Sequence, residues 1–376
     1  MHAAVGPLTT AAAPLFASDE PDLVYKNDRQ PRGPWSIHIV RVRWRNPDFR
    51  IQSVHANNSA VGLSRLSDQV LLLNNATNEV VAGINGDFYD RRSINAGDPR
   101  GLQIVEGELI SAPSGGASFW IDETGAPQAT NTFPLLQVHW PDATDSAFGL
   151  NGTREANGIE LYTPTYGSST RTHRGRELIL ERNGDGPWLP LRAGRRYEAR
   201  IREVHLTGNA PIAPDTMVLS IGPALARTGT NLKPGAELVL STGTVPSLRE
   251  ARAALSGGPI LVRGGRRQRI QVPDSYAYEF RSMRERHPRS AVGWNDEFFF
   301  LVQVDGRRFD SIGMTLTELA AYLVDMGCKE AINLDGGGSA TLWYQGRVRN
   351  EPCDERERPV ANAVLISKVR KSRRME

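Results

Sequence analysis

The chain has 376 residues, of which 39% are hydrophobic and 23% charged, a composition typical of a folded globular protein. This excludes collagen-like and wholly disordered classes, and no window approaches the 18 uninterrupted apolar residues that a membrane span requires. The 45 Lys+Arg and 42 Asp+Glu leave a net charge of +3, too small to indicate nucleic acid as a partner.

The first twenty residues are rich in Ala, Thr and Pro and carry no Lys or Arg. They predict a flexible arm, or the stub that remains after removal of a signal peptide. A secreted or cell-envelope location is expected, with the cytoplasm as the alternative. One domain is expected over 21–367, followed by a basic tail over 368–376. Prolines and polar stretches interrupt residues 125–200, which predict a loop-rich insertion or a small subdomain.

Two helices are predicted among many short strands. Leu66 begins the first, which extends to Asn75 and has apolar residues on one side. The second begins at Thr315, where Thr315 and Glu318 form a capping-box pattern. Strand-like runs cover 35–44, 80–84, 101–110, 118–121, 178–181, 237–241, 297–305, 331–334 and 340–344, with hairpins around 106–107 and 345–346. The chain therefore predicts an α+β fold with a mixed, strand-rich sheet core, a few helices and long glycine-rich loops.

Glycine and carboxylate residues follow apolar runs at two junctions. Asn85-Gly86-Asp87 follows the first run, and Asp90 lies three residues later. Asn333 and Asp335 occupy the second junction, where three glycines and a serine follow: Gly336, Gly337, Gly338 and Ser339. Glycines allow backbone N–H groups to approach an anion closely. We expect Asp87 and Asp335 to converge on one site, since the turns that follow two strands of the same sheet can face one cleft.

Another glycine turn and an arginine add candidate anion donors. Gly257 and Gly258 precede a strand, as a further candidate nest. Arg289 begins an apolar segment and is expected to bind phosphate through its planar guanidinium, with a plain surface charge as the alternative. No zinc spacing or nucleotide-binding loop is present. Whether Cys328 and Cys353 form a disulfide stays open at this point.

Several segments together resemble the phosphodiester glycosidase family. The resemblance is carried by INGDFYD, SGGPILV, RSAVGWN and NLDGGGSAT, together with RPVANA at 358–363. It is strongest over 80–110 and 255–365. It implies hydrolysis of a sugar-1-phosphodiester to free sugar and a phosphate monoester. The implied partner is a sugar-phosphate small molecule or a phosphodiester-containing glycopolymer.

The resemblance implies site roles for the residues already singled out. Asp87, Asp335 and Arg289 are the expected catalytic residues. The expected substrate contacts are Asn85, Gly86, Gly257, Gly258, Asn333, Gly336, Gly337, Gly338 and Ser339. No cofactor is expected. The alternatives are attack at phosphorus assisted by Ca²⁺ or Mg²⁺ on carboxylates, and a non-catalytic carbohydrate-binding envelope module.

Overall fold

The computed structural model describes residues 15–17, 19–31, 33–75, 78–91, 94–226, 232–272 and 278–369. Most of the expected N-terminal arm and of the basic tail lies outside these ranges. Within the arm, Phe16 is described, and its ring centroid lies 6.2 Å from that of Phe300. The arm therefore begins to pack against the domain before residue 20.

Strands dominate the chain. In chain order they are β1 (Leu23–Gln30), β2 (Trp35–Arg43), β3 (Phe49–His55), β4 (Asn78–Asn85), β5 (Gln103–Val105), β6 (Glu108–Ser111), β7 (Ala117–Ile121), β8 (Pro127–Asn131), β9 (Phe133–His139), β10 (Asp145–Ala147), β11 (Gly149–Leu150), β12 (Ile159–Tyr162), β13 (Arg176–Arg182), β14 (Arg196–His205), β15 (Met217–Ile221), β16 (Glu237–Val245), β17 (Ala253–Ser256), β18 (Ile260–Arg263), β19 (Arg266–Arg267), β20 (Arg289–Trp294), β21 (Phe298–Val304), β22 (Glu330–Asn333), β23 (Leu342–Tyr344), β24 (Arg347–Val348) and β25 (Asn362–Val369). The α-helices are α1 (Leu66–Leu73), α2 (Tyr278–Arg284) and α3 (Leu316–Asp325).

The strands form four sheets. One has seven strands in the order β1-β2-β21-β20-β22-β18-β19, and one has eight in the order β10-β9-β16-β14-β13-β15-β12-β11. Two five-stranded sheets have the orders β6-β5-β17-β7-β8 and β24-β23-β4-β25-β3. Among the described strands, β11 and β12 are the parallel pair, and the other neighbours run antiparallel. The expected strand-rich fold with few helices is confirmed, whereas the long glycine-rich loops are not.

The seven-stranded sheet and the five-stranded sheet that contains β4 pack face to face around a common apolar core. Ile84 of β4 and Val364 of β25 lie on one side of this core, and Val292 of β20 and Ile332 of β22 lie on the other. Helix α1 covers the outer face of the sheet that contains β4. Helix α3 covers the outer face of the seven-stranded sheet. This helix–sheet–sheet–helix stack brings the ends of β4 and β22 close together.

The local signals for α3 and for both hairpins are confirmed. Glu318 N–H donates to Thr315 Oγ1 at 3.1 Å, and Thr315 N–H donates to Glu318 Oε2 at 2.9 Å, as a capping box requires. Leu319 and Leu323 of α3 are fully buried. Strands β5 and β6 pair across 106–107, and β23 pairs with β24 across 345–346.

Residues 125–200 are rich in strands rather than loops. They supply β8 to β13 and the start of β14, and most of these strands belong to the eight-stranded sheet. Pro134 lies in β9 where β10 does not pair with it, so no ladder hydrogen bond is lost on that side. Leu136, Val138 and Leu178 are buried in the core of this sheet. The expected loop-rich insertion is therefore wrong, whereas a small subdomain, the alternative, stays a prediction.

Cys328 is a buried free thiol and Cys353 is a partly buried free thiol. The two cysteines therefore do not form a disulfide.

None of the helices in the described part of the chain is long and apolar enough to cross a bilayer.

Candidate functional site

The turns that follow β4 and β22 meet. Asp335 N–H donates to the carbonyl of Gly86 at 2.9 Å, which joins the two junctions directly. The two strands do not share a sheet, because β4 belongs to a five-stranded sheet and β22 to the seven-stranded one. Packing of one sheet on the other, rather than pairing within a sheet, places Asp87 near Asp335.

The side chain of Asn85 connects the end of β4 to the residues Asp335, Ser290 and Thr341. Its Nδ2 donates to the carbonyl of Asp335 at 2.7 Å. Its Oδ1 accepts from Ser290 Oγ at 2.6 Å and from the N–H of Thr341 at 3.1 Å. Asn85 is 0% exposed. The expected substrate contact is therefore corrected, because the amide is enclosed and occupied by protein groups.

Gly86 is a place of close approach rather than a ligand contact. Its N–H donates to the carbonyl of Asn362 at 2.9 Å, and its own carbonyl accepts from Asp335. A Cβ at this position would lie 2.2 Å from Asn362 Oδ1. The same Oδ1 accepts from Asp87 N–H at 2.8 Å. The expected substrate role of Gly86 is corrected, since a glycine is required here so that Asn362 can hold Asp87.

Asp87 is a buried carboxyl group, 2% exposed. Its Oδ1 accepts from the N–H of Phe88 at 2.7 Å. Its Oδ2 makes no well-formed hydrogen bond in the described part of the chain, but the backbone N–H of Gly101 lies close enough to lower the pKa of the carboxyl group. Burial raises the pKa of Asp87 from 3.8 to about 8, and the nearby charge of Asp335 contributes to the increase. Asp87 is therefore mainly protonated at neutral pH.

Asp335 is only partly buried and is surrounded by groups that favour its charge. Burial raises its pKa from 3.8 to about 6. The Ser339 hydroxyl, the Arg358 guanidinium and the N–H of Gly336 act in the opposite direction. At neutral pH Asp335 is mainly ionised. The site thus pairs a carboxylic acid with a carboxylate, which is the arrangement that acid–base chemistry requires.

The three successive glycines are explained by crowding on every side. A Cβ on Gly336 would lie 2.6 Å from the carbonyl oxygen of Pro288, and one on Gly338 would lie 1.9 Å from Arg358 Nη2. Gly337 has a φ of +61° and lies against Arg307. Its N–H donates to the carbonyl of Pro288 at 2.9 Å. Whether the turn also binds an anion stays a prediction, as does the role of Ser339.

Four arginines that were not predicted surround the two aspartates. Arg358 and Arg91 lower the pKa of Asp335, and Arg100 lowers that of Asp87. Arg307 lies beside Gly337. Arg358 also forms an ion pair with Asp354, with Nη2 2.5 Å from Oδ2. Arg358 lies next to Pro359 in the motif that carries the family resemblance, and this position could have indicated a site residue. The sequence around Arg91, Arg100 and Arg307 contains no such indication.

The turn at Gly257 and Gly258 is not a nest for an anion. Gly257 N–H donates to Ala117 O at 3.0 Å, and Gly258 N–H donates to Asn333 O at 2.7 Å. The expected phosphate role of both glycines is corrected, since the two donors are already used. Asn333 Nδ2 donates to Gly258 O at 2.8 Å, while its Oδ1 has no donor among the described residues. A substrate contact through that oxygen stays a prediction.

Arg289 is 5% exposed and holds backbone carbonyls. Its Nε donates to Met314 O at 2.8 Å, and its Nη2 donates to Ser282 O and Glu285 O at 2.8 and 2.7 Å. These bonds fix the start of β20 against α2 and the segment before α3. The geometry therefore favours a structural function, and the expected phosphate contact stays a prediction.

Tyr89 and Asp90 complete the loop after Asp87. Tyr89 is buried against Val360 and Ala361, and its hydroxyl donates to Pro359 O at 2.9 Å. Burial raises the pKa of Asp98 to about 7, and the nearby charge of Asp90 contributes to the increase.

Within the described ranges, no three His, Cys, Asp or Glu side chains are grouped so as to hold a metal ion.

Residues 205–367 match the family model described as phosphodiester glycosidase. The SPbeta prophage-derived uncharacterized protein YomE of Bacillus subtilis is 29% identical over 138 residues, which cover 36% of this chain and 20% of that protein. N-acetylglucosamine-1-phosphodiester alpha-N-acetylglucosaminidase of Bos taurus is 34% identical over 111 residues, 27% of this chain and 20% of the enzyme. The chain thus spans about a fifth of the length of these curated relatives.

Two solved structures share the fold. A hypothetical protein from Synechocystis has a TM-score of 0.74 at 19% identity, covering 94% of this chain and 64% of its own. A putative exported protein from Burkholderia pseudomallei has a TM-score of 0.66 at 18% identity, covering 89% and 74% respectively. At this identity the likeness concerns the fold alone.

Proposed function

We propose that this chain, whose residues 205–367 match the phosphodiester glycosidase family model, is a hydrolase that cleaves a sugar-1-phosphodiester into free sugar and a phosphate monoester. The observation that carries the proposal is the meeting of a protonated Asp87 with an ionised Asp335 beside Arg358. The substrate class is a sugar-phosphate small molecule or a glycopolymer that contains phosphodiester bonds.

Charge development on the leaving phosphate accounts for the arginines. A phosphodiester carries one negative charge, and the monoester that leaves acquires a second as the bond to the anomeric carbon breaks. Guanidinium groups stabilise such developing charge through charge-assisted hydrogen bonds in a preorganised site. Arg307 and Arg358 flank Gly337 and Gly338, so we assign the phosphate to this end of the site.

The two carboxyl groups take different roles at the sugar. Asp335 is ionised and more accessible than Asp87, so we assign it to the anomeric carbon, where a carboxylate stabilises an oxocarbenium-like centre or activates water. Asp87 is protonated and can exchange a proton with the reacting groups. Since a phosphate monoester is a good leaving group, protonation of the leaving oxygen contributes less than in ordinary glycosides.

The test is hydrolysis of a panel of sugar-1-phosphodiesters in isotope-labelled water, with products identified by mass. We expect release of a phosphate monoester and the label in the sugar, with turnover unchanged by a chelator. Label in the phosphate would instead indicate attack at phosphorus. Saturable binding without turnover would indicate a binding module. Asp335→Asn is the inactive comparison that shows that turnover comes from this site. The change is nearly isosteric and is expected to lower turnover by orders of magnitude.

Location is a separate proposal. We place the protein outside the cell or in the cell envelope, because the Burkholderia pseudomallei protein that shares the fold is described as an exported protein. Fractionation of cells that express the full-length protein tests this, and recovery in the cytoplasmic fraction alone would contradict it.

A further inference from the structure

Arg307 has an unusual backbone conformation. It follows β21 after Asp305 and Gly306, and its φ is +61°, in the left-handed region that residues other than glycine seldom adopt. Such conformations cost free energy and persist where the surrounding structure requires them, often at functional sites. The side chain is exposed, so burial does not fix its orientation. The polar contacts of the guanidinium therefore decide where its charge lies.

Those contacts direct the guanidinium to the glycine turn. Nη2 lies 3.1 Å from His287 Nδ1. Nη1 lies 3.6 Å from the sulfur of Cys353. A Cβ on Gly337 would lie 3.2 Å from Nη2, which places the charge directly over the turn that follows Asp335.

The hydrogen bond assigns the tautomer of His287. A guanidinium can only donate, so Nδ1 of His287 must accept and the proton of the neutral ring is on Nε2. Nε2 lies 3.2 Å from Glu285 Oε2 and donates to it. Burial, Arg289 and Arg307 lower the pKa of His287, which favours the neutral ring. Glu285, His287 and Arg307 thus form one directed chain of hydrogen bonds.

The backbone fixes His287 within this chain. Its N–H donates to Met314 O at 3.2 Å, and Met314 N–H donates to His287 O at 3.1 Å. A Cβ on Gly313 would lie 2.5 Å from the His287 carbonyl carbon, so the neighbouring segment leaves the histidine no room to shift. The backbone of His287 is therefore held in place, and its imidazole extends from this fixed point to the long, exposed side chain of Arg307.

We propose that Glu285 and His287 act as positioning residues that hold Arg307 over the turn 336–338, where Arg307 binds the phosphate group of the substrate. This deepens the proposed function, on which the identity of the anion rests. His287 does not touch the reacting atoms. It reduces the conformational freedom that Arg307 would otherwise lose on binding.

The test measures sulfate binding by calorimetry at pH 7.5, since sulfate is a dianion that does not titrate there. We compare the wild type with Arg307→Ala, His287→Ala and the double variant. Arg307→Ala is expected to weaken binding roughly tenfold or more, as for loss of a charge-assisted hydrogen bond. His287→Ala is expected to weaken it several-fold, and the double variant to match Arg307→Ala, because His287 acts only through Arg307.

A conservative variant separates positioning from general destabilisation. In His287→Asn the Oδ1 atom takes the approximate place of Nδ1 and can accept from Arg307, so it is expected to restore most of the sulfate affinity. His173→Ala, at an exposed histidine, is the matched control and should bind like the wild type. Circular dichroism and thermal melting verify the fold of each variant.

Three results would overturn the proposal: a wild type that binds no sulfate, a His287→Ala variant that binds sulfate like the wild type, or effects of the two single changes that multiply in the double variant. Sulfate binding requires no turnover. A failure of the proposed glycosidase reaction would therefore leave this measurement intact, and the two failures can be told apart.

Discussion

Replacing Asp87 by asparagine is expected to stabilise the protein while it removes a group needed for turnover. In the folded state the pKa of Asp87 is raised from 3.8 to about 8, so folding at neutral pH requires the uptake of a proton. The folded chain binds more protons than the unfolded chain across this window. Stability contributed by this group is therefore lost as pH rises from about 4 to about 8. Asparagine is neutral in both states and has no such dependence.

The magnitude follows from the distance between pH and the unfolded pKa of 3.8. At 1.36 kcal/mol per pH unit, the cost of protonating Asp87 is about 4 kcal/mol at pH 7 and about 2 kcal/mol at pH 5. Asparagine keeps the oxygen that accepts from Phe88 N–H. Its amide adds a donor at the place of Oδ2, where a protonated carboxyl group also carries a donor. The hydrogen bonds of asparagine and of protonated aspartate therefore contribute nearly equally to stability, and the cost of protonation dominates the difference.

Urea-induced unfolding at pH 5 and pH 7, followed by tryptophan fluorescence, measures the difference. We expect Asp87→Asn to exceed the wild type in stability at both values, with the larger gain at pH 7. Asp185→Asn, at an exposed aspartate, should show no gain. If Asp87→Asn lowered stability equally at both pH values, Asp87 would be ionised in the folded protein and its assigned role as the acid would be wrong.

Three further changes test the structural and electrostatic assignments. Thr315→Ala removes the cap of α3 and should cost about 1 kcal/mol in thermal unfolding, with the specific activity of the folded protein unchanged. Arg289→Lys loses the fork that holds three carbonyls and should lower the melting temperature; a raised KM with unchanged melting would instead support phosphate binding. Arg358→Gln removes a charge that lowers the pKa of Asp335, so the acid limb of the kcat/KM profile against pH should move to higher pH.

Local patterns predicted local structure well. The capping box at Thr315 and Glu318 and the hairpin turns each involve residues a few positions apart, so the physics that fixes them lies within one short segment. The expectation of loops over 125–200 is wrong for the opposite reason. The prolines of this segment are compatible with strands once it is known which edges remain unpaired, and pairing depends on residues as far away as β16.

The aspartates of the site were predictable, whereas their surroundings were not. Asp87 and Asp335 each follow an apolar run and lie beside glycine, a pattern that marks a turn beyond a strand end. Asn85 shares that pattern, yet its amide is saturated by Asp335, Ser290 and Thr341. No local signal distinguishes an amide that supports the turn from one that faces a ligand, because the partners lie more than 200 residues away.

The arginines show the same difficulty most clearly. Arg289 begins strand β20 and Arg358 lies shortly before β25, and both lie in segments that carry the family resemblance. Arg289 is buried and donates to three carbonyls, whereas Arg358 pairs with Asp354 and lowers the pKa of Asp335. What separates them is the number of backbone acceptors that the fold leaves within reach of each guanidinium. That number is a property of the packed sheets, so the cation that acts on the site could be assigned only after β20, β22 and the turn between Asp335 and Ser339 had been placed against one another.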